Sequence, residues 1–496
     1  MELRSACERI ARIEERCEVT RLRRDGVSLW PLIRIALWDQ ALHPGRTRPP
    51  LASTRSQTAL RRRLAAPTRR WRELRARAPR RRFVDGLQPA DWLFLARPQD
   101  HSDSVAGLPL DRHLDPLLEL ARESWRALKL EVGAADATRP RRQPSAFVPP
   151  EWLQAPPRRD PLPARELAAL ERVLGEEAPE WWLDRAGLDA RVDAVRASER
   201  FFGRVLARVR PRAALFACFH ADQAMGLSRA CRAQGVLSVD VQHGKQGLYS
   251  GVYSHWTRVP EGGWDLLPDV FWVWGEESRE NLEKWFPPEA GVHRAVVGGH
   301  RWLGWWREGH VATADGLGAA LSRRIAAASR VVLVSLQPLE DPLPGALLEA
   351  LRASPRDWLW LIRLHPHQRK ELEAIRARLA SAGSATLELD AATRAPLYAL
   401  LGASHHHVTR WSSVCFEALC FDLPTTLIDP AGRELYERWI QAGRFGYATT
   451  GAELLAAVGA ERRPPPDAAA PYIEWSRECA ARALAEIASL APGVPC

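Results

Sequence analysis

Short apolar runs alternate with stretches of helical periodicity along the chain beyond residue 210. The runs that predict a first series of buried strands lie at 213–219, 237–241, 269–274 and 294–297. A second series of strands is predicted at 331–336, 358–364, 386–389, 406–409 and 425–428. A helix is predicted at 222–234 in the first series, and helices at 343–353, 368–382, 413–421 and 431–441 in the second. Strands and helices that alternate at such lengths are typical of a parallel sheet covered on both faces. We therefore predict an α/β fold with two doubly wound, Rossmann-like domains facing each other across a cleft.

The chain before residue 210 is less regular. We predict two short helices within 1–45, buried strands at 91–96 and 128–132, and helical structure from about 165 to 210. The segment 140–163 contains eight prolines and is expected to be an irregular connection. The predicted units are N-terminal helices with an arginine-rich segment at 1–82, domains at 83–310 and 329–462, a linker at 311–328 and a C-terminal helix at 463–496.

The composition is that of a globular protein, since 46% of the 496 residues are hydrophobic and 26% are charged. No apolar run reaches the roughly 18 residues that a membrane-spanning helix needs, and the N-terminus does not have the pattern of a secretion signal. The eight cysteines are scattered without CxxC spacing, which suits a reducing compartment. We therefore expect a cytoplasmic protein.

The net charge of +10 comes from one stretch, because residues 55–82 hold twelve arginines and a single acid, Glu73. Twelve less one gives +11 for the stretch and leaves −1 for the rest of the chain. Its apolar residues recur on one helical face, at Leu60, Leu64, Trp71, Leu74 and Ala78. A basic helix with such a stripe can bind an anionic membrane surface, whereas Pro67 favours a disordered linker, and the sequence leaves both open. With Trp71 as its one aromatic residue and no reading module, the stretch predicts no specific nucleic-acid binding.

Ligands of open parallel sheets bind beyond the carboxyl ends of the strands, so polar residues that follow predicted strands are the candidates for chemistry. In the first series, Gln242-His243-Gly244 follows the second strand. His243 is suited to accept a proton near neutral pH, and Gly244 would let the chain turn sharply and a ligand approach. Asp222 and Asp240 are reserve bases. The plain alternative for His243 is a turn histidine that only hydrogen-bonds the backbone.

In the second series, Arg363-Leu364-His365-Pro366 closes the strand at 358–364. Pro366 fixes the chain as it leaves the strand and starts the next helix. His365 would then point across the edge of the sheet, where it and Arg363 could contact a phosphate. The alternative is a structural histidine at the end of a strand.

A third candidate lies at the start of the helix 413–421. Ser412 and Ser413 would present two hydroxyls and backbone N–H groups at a helix N-terminus, which is an anion site. The alternative is a simple N-cap. Glu417, one turn into the helix, could accept both hydroxyls of a ribose, and its alternative is a solvated surface charge.

Other features predict less. His405-His406-His407 is not expected to bind a metal, because consecutive strand residues point to opposite faces. Trp302, Trp305 and Trp306 are expected to pack, with a place in an acceptor site as the alternative. The sequence contains no P-loop, GxGxxG after a strand, HExxH, GxSxG or DxD motif, so a hydrolase or a metal-dependent transferase gains no support.

The ordered set Val241-Gln-His-Gly244, Leu364-His-Pro366 and Trp411-Ser-Ser413 resembles the GT-B-fold transferases of bacterial capsule and surface-carbohydrate biosynthesis. That group includes capsular Kdo transferases, sialyltransferases that use CMP-sialic acid, and CDP-glycerol glycerophosphotransferases. Trp30-Pro-Leu-Ile-Arg34 and Leu267-Pro-Asp-Val-Phe-Trp-Val-Trp-Gly275 are also similar to such proteins. The resemblance is best over about 210–430.

The resemblance implies a donor that is often cytidine-activated. It also implies that His365, Ser412 and Ser413 hold the donor phosphate and that His243 is a candidate base. Gln242 stands where the glycerophosphotransferases have tryptophan.

We therefore expect a glycosyltransferase that needs no cofactor or metal and moves a sugar or sugar-like group from a nucleotide donor to a surface polysaccharide or its lipid-linked precursor. Its partners would be the donor, the glycan or lipid-linked acceptor and, through 55–82, the inner face of the cell membrane. A nucleotide-sugar epimerase or hydrolase of the same fold is the main alternative.

Overall fold

The structure is a computed structural model that describes residues 3–43, 78–101, 103–133, 140–155, 162–244, 246–247, 249–311, 316–339, 341–381, 383, 385–460, 463–465 and 468–491. Two separate parallel β-sheets with helices around them confirm the predicted fold class. No helix among these residues is both long and apolar enough to cross a membrane. Most of the predicted basic segment 55–82 lies outside the described residues, which resume at a helix spanning 78–86.

The N-terminal region contains two helices, as predicted, α1 (Leu3–Arg16) and α2 (Trp30–Leu42). A short antiparallel pair, β1 (Arg23–Arg24) and β2 (Val27–Ser28), joins them. The apolar side chains of both helices belong to the same buried cluster as one face of the first sheet. The two helices therefore stabilise this sheet directly.

The first sheet and its surroundings are built from residues 78–307. Its strands are β3 (Trp92–Ala96), β6 (Ala127–Val132), β7 (Ala146–Val148), β8 (Ala213–Ala217), β9 (Leu237–Val241), β10 (Val270–Val273) and β11 (Arg294–Val297), and β4 (Asp103–Val105) pairs with β5 (Leu108–Leu110) beside them. The helices are α3 (78–86), α4 (Asp115–Ala121), α5 (Ala164–Glu177), α6 (Arg185–Val209), α7 (Asp222–Gln234), α8 (Glu276–Glu283) and α9 (Arg301–Arg307). The spatial order is β11-β10-β9-β8-β3-β6-β7, and all neighbouring pairs are parallel. The central strands are apolar runs because helices cover both of their faces.

The second sheet has six parallel strands and lies within residues 319–459. They are β12 (Arg330–Ser335), β13 (Trp358–Arg363), β14 (Thr386–Glu388), β15 (His406–Thr409), β16 (Thr425–Leu427) and β17 (Phe445–Tyr447). The helices are α10 (Ala319–Ala327), α11 (Gly345–Ala353), α12 (Leu372–Ala380), α13 (Asp390–Arg394), α14 (Leu397–Gly402), α15 (Val414–Leu419), α16 (Pro430–Gln441) and α17 (Gly451–Gly459). The order is β14-β13-β12-β15-β16-β17.

The end of the chain returns to the first sheet. The segment before the last helix, α18 (Arg477–Leu490), runs against the loop after β11, where the His300 N–H donates to the Glu474 carbonyl at 2.7 Å. Gly299 permits this approach, because its φ is +75° and a Cβ there would lie 2.6 Å from the same carbonyl oxygen. Helix α18 then buries Ala483, Leu484 and Ile487 among side chains of the first sheet. The last helix therefore belongs to the core of the first domain.

The short antiparallel strands β1, β2, β4 and β5 were not predicted, nor were two strands of the parallel sheets, β7 and β17. The segment 140–163, expected to be an irregular connection, contains β7, which pairs in parallel with β6 at the edge of the sheet. The strand β17 pairs with β16 at the edge of the second sheet. Both have three residues, too few for a periodic pattern to stand out.

Candidate active site

A cavity of about 310 Å³ lies at the carboxyl ends of β8 and β9, in the domain predicted to hold the acceptor. Helix α2 contributes apolar side chains to its wall, including Ile35 and Trp38. The loops after the two strands contribute His220, His243 and Gly244. The volume falls in the range of small-molecule sites. The sequence therefore located one of the strand-end loops that border a cavity, but not the wall that the N-terminal helix supplies.

His243 lies among other imidazole rings at this cavity. Its ring centroid is 6.1 Å from that of His113 and 5.9 Å from that of His220. Burial, together with the guanidinium groups of Arg97 and Arg112, lowers the pKa of His243 to about 3. The ring is therefore neutral at neutral pH and retains a nitrogen lone pair, as a proton acceptor requires.

Gln242 fixes the loop that carries His243. Its side chain is fully buried; the Trp274 backbone N–H donates to Oε1 at 2.7 Å, and Nε2 donates to the Gly244 carbonyl at 2.9 Å. The Trp274 indole N–H in turn donates to the Gln242 carbonyl at 2.9 Å. Gln242 therefore positions the loop, and its amide is occupied by protein groups.

Gly244 does not have the first of the two roles that the sequence suggested, a sharp turn of the backbone. Its φ is outside the left-handed region, so the turn does not require a glycine. A Cβ at this position would have no atom within 4 Å, since the space beside it opens into the cavity. The residue leaves room for a ligand without shaping the backbone.

The two reserve bases both have protein partners. Asp222 forms an ion pair with Arg191 at 2.8 Å. Asp240 is fully buried and accepts from the Phe219 N–H at 3.0 Å and the Tyr253 hydroxyl at 3.2 Å, and burial raises its pKa to about 8. Both carboxylates are therefore engaged by protein groups, whereas His243 lines the cavity.

Glu417 on α15 is a buried carboxylate rather than a solvated surface charge. The Tyr398 hydroxyl donates to its Oε1 at 2.5 Å, and His300 Nε2 lies 3.7 Å from the same oxygen. Although burial opposes ionisation, the nearby His300, the hydrogen bond from Tyr398 and the charge of Arg112 hold the pKa of Glu417 below its ordinary value. Because His300 follows β11 in the first sheet, this group joins the two domains.

Two arginines that the sequence analysis did not select lie near these groups, Arg112 at the junction with Glu417 and Arg97 near His243. Arg112 Nε contacts His113 Nε2 at 3.2 Å, and the guanidinium lies 3.7 Å from Asp103. Burial opposes its charge, but Asp103, Tyr398 and Glu417 outweigh burial and raise the pKa of Arg112. Arg97 forms two hydrogen bonds with Asp100, at 2.7 and 3.0 Å. The sequence signal for Arg112 was the polar run Asp111-Arg-His113 between apolar residues, and the signal for Arg97 was its place directly after the predicted strand 91–96.

Arg363 and His365 stand at the end of β13, as predicted. Arg363 donates to the carbonyls of Ala392, at 2.9 Å, and Ala395, and burial lowers its pKa to about 10. The arginine therefore fixes the segment after α13, in addition to any ligand contact. His365 is half-buried, its N–H donates to Gln368 Oε1 at 3.2 Å, and a 3₁₀ turn rather than an α-helix begins at Pro366.

Ser412 and Ser413 precede α15, which has only six residues. Ser412 Oγ accepts from the Val414 N–H at 3.3 Å, and the Ser413 side chain makes no capping hydrogen bond. Both serines are half-buried. Since the helix is short and one of its first N–H groups is already satisfied, an anion here would depend on the hydroxyls rather than on the helix terminus.

The three consecutive histidines at 405–407, of which the last two belong to β15, are held by neighbouring strands. His406 Nε2 contacts Thr426 Oγ1 at 2.9 Å, and the two nitrogens of His407 contact Thr425 at 3.1 Å and Ser335 at 3.0 Å. His405 Nδ1 accepts from the Val331 N–H at 2.9 Å. These contacts give each ring a structural role.

The tryptophans of α9 pack, as the sequence favoured. Trp302, Trp305 and Trp306 are all at least nine-tenths buried and belong to a cluster that includes Tyr398 and Phe416 of the second domain. This apolar cluster joins the two domains beside the polar group of His300 and Glu417.

A buried ion pair explains the Trp30-Pro-Leu-Ile-Arg34 segment, for which the sequence gave no role. Arg34 Nη1 donates to Glu14 Oε2 at 2.8 Å, and the Trp30 indole donates to Glu14 Oε1 at 2.9 Å. Arg34 also donates to the carbonyls of Gly251, at 2.8 Å, and Ser254. The pair therefore ties both N-terminal helices to the loop that contributes Val252 and Tyr253 to the cavity.

No protein-family model and no curated protein matches this chain. Among solved structures, the UDP-GlcNAc 2-epimerase from Neisseria meningitidis bound to UDP-GlcNAc is similar at a TM-score of 0.49 and 13% identity, over 80% of this chain and 98% of that chain. S. aureus MnaA with UDP is similar at a TM-score of 0.48 and 12% identity, over 81% of this chain and 96% of that chain. CalG4, the calicheamicin glycosyltransferase, is similar at a TM-score of 0.41 and 14% identity, over 82% of this chain and 100% of that chain. At these values the similarity identifies neither the activity nor the ligand of this chain.

Proposed function

We propose that this protein is a glycosyltransferase that moves a sugar or sugar-like group from a nucleotide donor to a hydroxyl of a glycan or lipid-linked acceptor. The observation that carries the proposal is the meeting of Arg112 and His300 from the first domain with Glu417 and Tyr398 from the second. A cationic and histidine-rich junction between two parallel sheets suits an anionic ligand that spans both domains.

The nucleotide would bind to the second domain. Glu417, oriented by Tyr398, would accept from ribose hydroxyls. His365 and the hydroxyls of Ser412 and Ser413 would donate to the phosphates. As the sugar–phosphate bond breaks, negative charge grows on the leaving phosphate, and preorganised donors stabilise that charge more in the transition state than in the ground state. A cytidine nucleotide remains our preferred donor because of the motif resemblance.

The acceptor would enter the cavity beside His243. The neutral imidazole would take the proton of the attacking hydroxyl, a step that is worth about 10²–10⁴ in rate. The apolar side chains of Ile35 and Trp38 in the cavity wall suit an acceptor with an apolar portion, as a lipid-linked precursor has. A surface polysaccharide or its lipid-linked precursor is therefore the acceptor class that we propose.

The proposal is tested by calorimetric titration of the full-length protein with CMP, CDP, UDP and GDP. We expect one of them to bind, and Arg112→Gln to weaken it by about 10- to 100-fold, since a hydrogen bond to a charged group contributes about 1.5–3 kcal/mol. The matched control is Arg232→Gln, which removes an equal charge beside Asp269, before the start of β10 and thus away from the carboxyl ends of the strands. If no nucleotide binds the wild type, or if both variants bind it equally well, the proposal is wrong.

Turnover separates this activity from the alternative. A transferase consumes the donor slowly until an acceptor is added, whereas an epimerase or hydrolase converts it without one. Rapid acceptor-free conversion of the bound nucleotide sugar would replace the transferase by the alternative.

A further inference from the structure

Cys218, His220 and His243 converge at the ends of two neighbouring strands. Cys218 directly follows β8, His220 is two residues further on, and His243 follows β9. The Cys218 sulfur and one ring nitrogen of each histidine all lie within 4.8 Å of one another. This is the one group of such ligand atoms found among the described residues.

The residue types are those that zinc prefers. Catalytic zinc sites use three protein ligands, for example three histidines or two cysteines with one histidine, and leave one position open. Two histidines with one cysteine also bind copper. Zn–S bonds of about 2.3 Å and Zn–N bonds of about 2.0 Å place tetrahedral ligand atoms roughly 3.3–3.6 Å apart. The observed spread of up to 4.8 Å is thus close to a site, and side-chain rotations would close it.

Two of the three proposed ligand atoms are joined by a hydrogen bond in this structure. Cys218 Sγ lies 3.0 Å from His220 Nε2, so one proton, on the sulfur or on the nitrogen, links the two atoms. A divalent metal would replace this proton, bind the thiolate and the nitrogen lone pair, and release one proton to the solvent. Arg97 faces the same sulfur and would donate to the thiolate once it forms.

A second observation points to a missing ligand. The Nδ1 atoms of His220 and His243 are buried, and neither has a hydrogen-bond partner among the described residues. Buried polar atoms without partners are rare because each loses its contact with water. A metal bound through His243 Nδ1 would give that atom its partner, whereas His220, whose Nε2 faces Cys218, would need a water molecule at its Nδ1.

We propose that Cys218, His220 and His243 bind Zn²⁺ or another divalent transition metal that accepts thiolate, with the open position towards the cavity. The binding does not depend on the proposed function. One consequence does rest on it: because His243 would be both a metal ligand and the proton acceptor, metal and proton compete for the same lone pair. Zn²⁺ would then inhibit sugar transfer.

The test is a titration of the metal-free, full-length protein with Co²⁺, whose thiolate complexes absorb in the near ultraviolet. We expect a thiolate-to-cobalt band that saturates at one equivalent and is displaced by Zn²⁺. Cys218→Ser should abolish the band, and His220→Gln should weaken binding by at least about tenfold. Cys479→Ser and His405→Gln, which change the same residue types in α18 and before β15, should leave it unchanged.

The absence of a band at one equivalent in the wild type, or a band that persists in Cys218→Ser, would overturn the site. The wild-type titration decides the question even if a variant does not fold, and circular dichroism identifies such a variant. If Co²⁺ and Zn²⁺ bind but transfer is not inhibited, the metal site stands and the role of His243 as base fails. Failure to bind nucleotide leaves the metal titration unaffected, so the two proposals fail separately.

Discussion

Replacing Arg34 by methionine should destabilise the first domain by about 3–5 kcal/mol, because removing one partner of a buried ion pair leaves the other charge uncompensated. Arg34 and Glu14 are both fully buried, and the guanidinium also lies 4.4 Å from the Trp256 ring centroid. In the variant, the carboxylate would retain the Trp30 indole and the Thr257 N–H, at 2.9 and 3.1 Å, but no cation.

The loss of unfolding free energy in Arg34→Met should depend on pH, and the surroundings of Glu14 determine the direction. Burial raises the pKa of Glu14, and the charge of Arg34 opposes that rise. Without Arg34 the pKa of the folded state rises further, so the folded variant binds a proton that the unfolded chain has lost. The destabilisation should therefore be smallest below the unfolded-state pKa of about 4.3 and grow as the pH rises through the folded-state value.

The measurement is urea unfolding at pH 5 and pH 8, followed by tryptophan fluorescence. Arg258→Met is the matched control, since Arg258 is exposed and donates only to the Glu15 carbonyl at 3.1 Å among the contacts described, and should cost less than about 0.5 kcal/mol. The double variant Glu14→Leu/Arg34→Met should recover part of the loss, because it leaves no buried charge. A single-variant effect below about 1 kcal/mol at pH 8 would refute the reasoning.

Three further predictions concern the site and the basic segment. His365→Ala should weaken nucleotide binding by about tenfold through loss of a hydrogen bond to a charged phosphate, and unchanged calorimetric affinity for every nucleotide would exclude that role. His243→Ala should lower turnover by about 10²–10⁴ with little change in donor affinity, since a base acts in the chemical step; weaker donor binding with normal turnover at saturation would reassign the residue. Deleting 55–77, which spares α3, should reduce co-sedimentation with anionic liposomes at physiological salt if the segment is an anchor, and equal sedimentation of both proteins would make it a linker.

The sequence predicted the fold well where strands are buried on both faces. The strand β9 and the helix α7 match their predicted bounds, because each is delimited by residues with a physical role, such as Gly235, which ends α7 with a φ of +68°. The edge strands β7 and β17 were missed. Each has only three residues, which is too short for an alternation of apolar and polar positions to be recognised. They are recognisable as strands only from their pairing with β6 and β16.

The site was predicted in part, and the missing part depends on contacts between distant residues. Polar residues at or after strand ends led to His243, which borders the cavity, and to Glu417, which lies on the following helix and is buried at the junction; their roles in binding and catalysis stay predictions. The polar run around Arg112 does not reveal its role, because Glu417 and Tyr398, which act on its charge, are distant in sequence. The cysteine spacing gave no metal motif, because the proposed ligands Cys218 and His243 follow two different strands.

The hydrogen bonds of Gln242 explain why a glutamine suits this position in this chain. Its amide accepts from the Trp274 N–H and donates to the Gly244 carbonyl, with Ser278 Oγ at 3.4 Å from the same nitrogen. A tryptophan side chain has one N–H donor and no acceptor, so it could not make both bonds. Trp274 itself stacks on His300 at 4.5 Å, and His300 contacts the Tyr398 hydroxyl at 2.9 Å. The departure from the glycerophosphotransferase pattern thus holds the His243 loop to the same side chains that meet Glu417, and it keeps the proposed base and the proposed nucleotide site in a fixed relation.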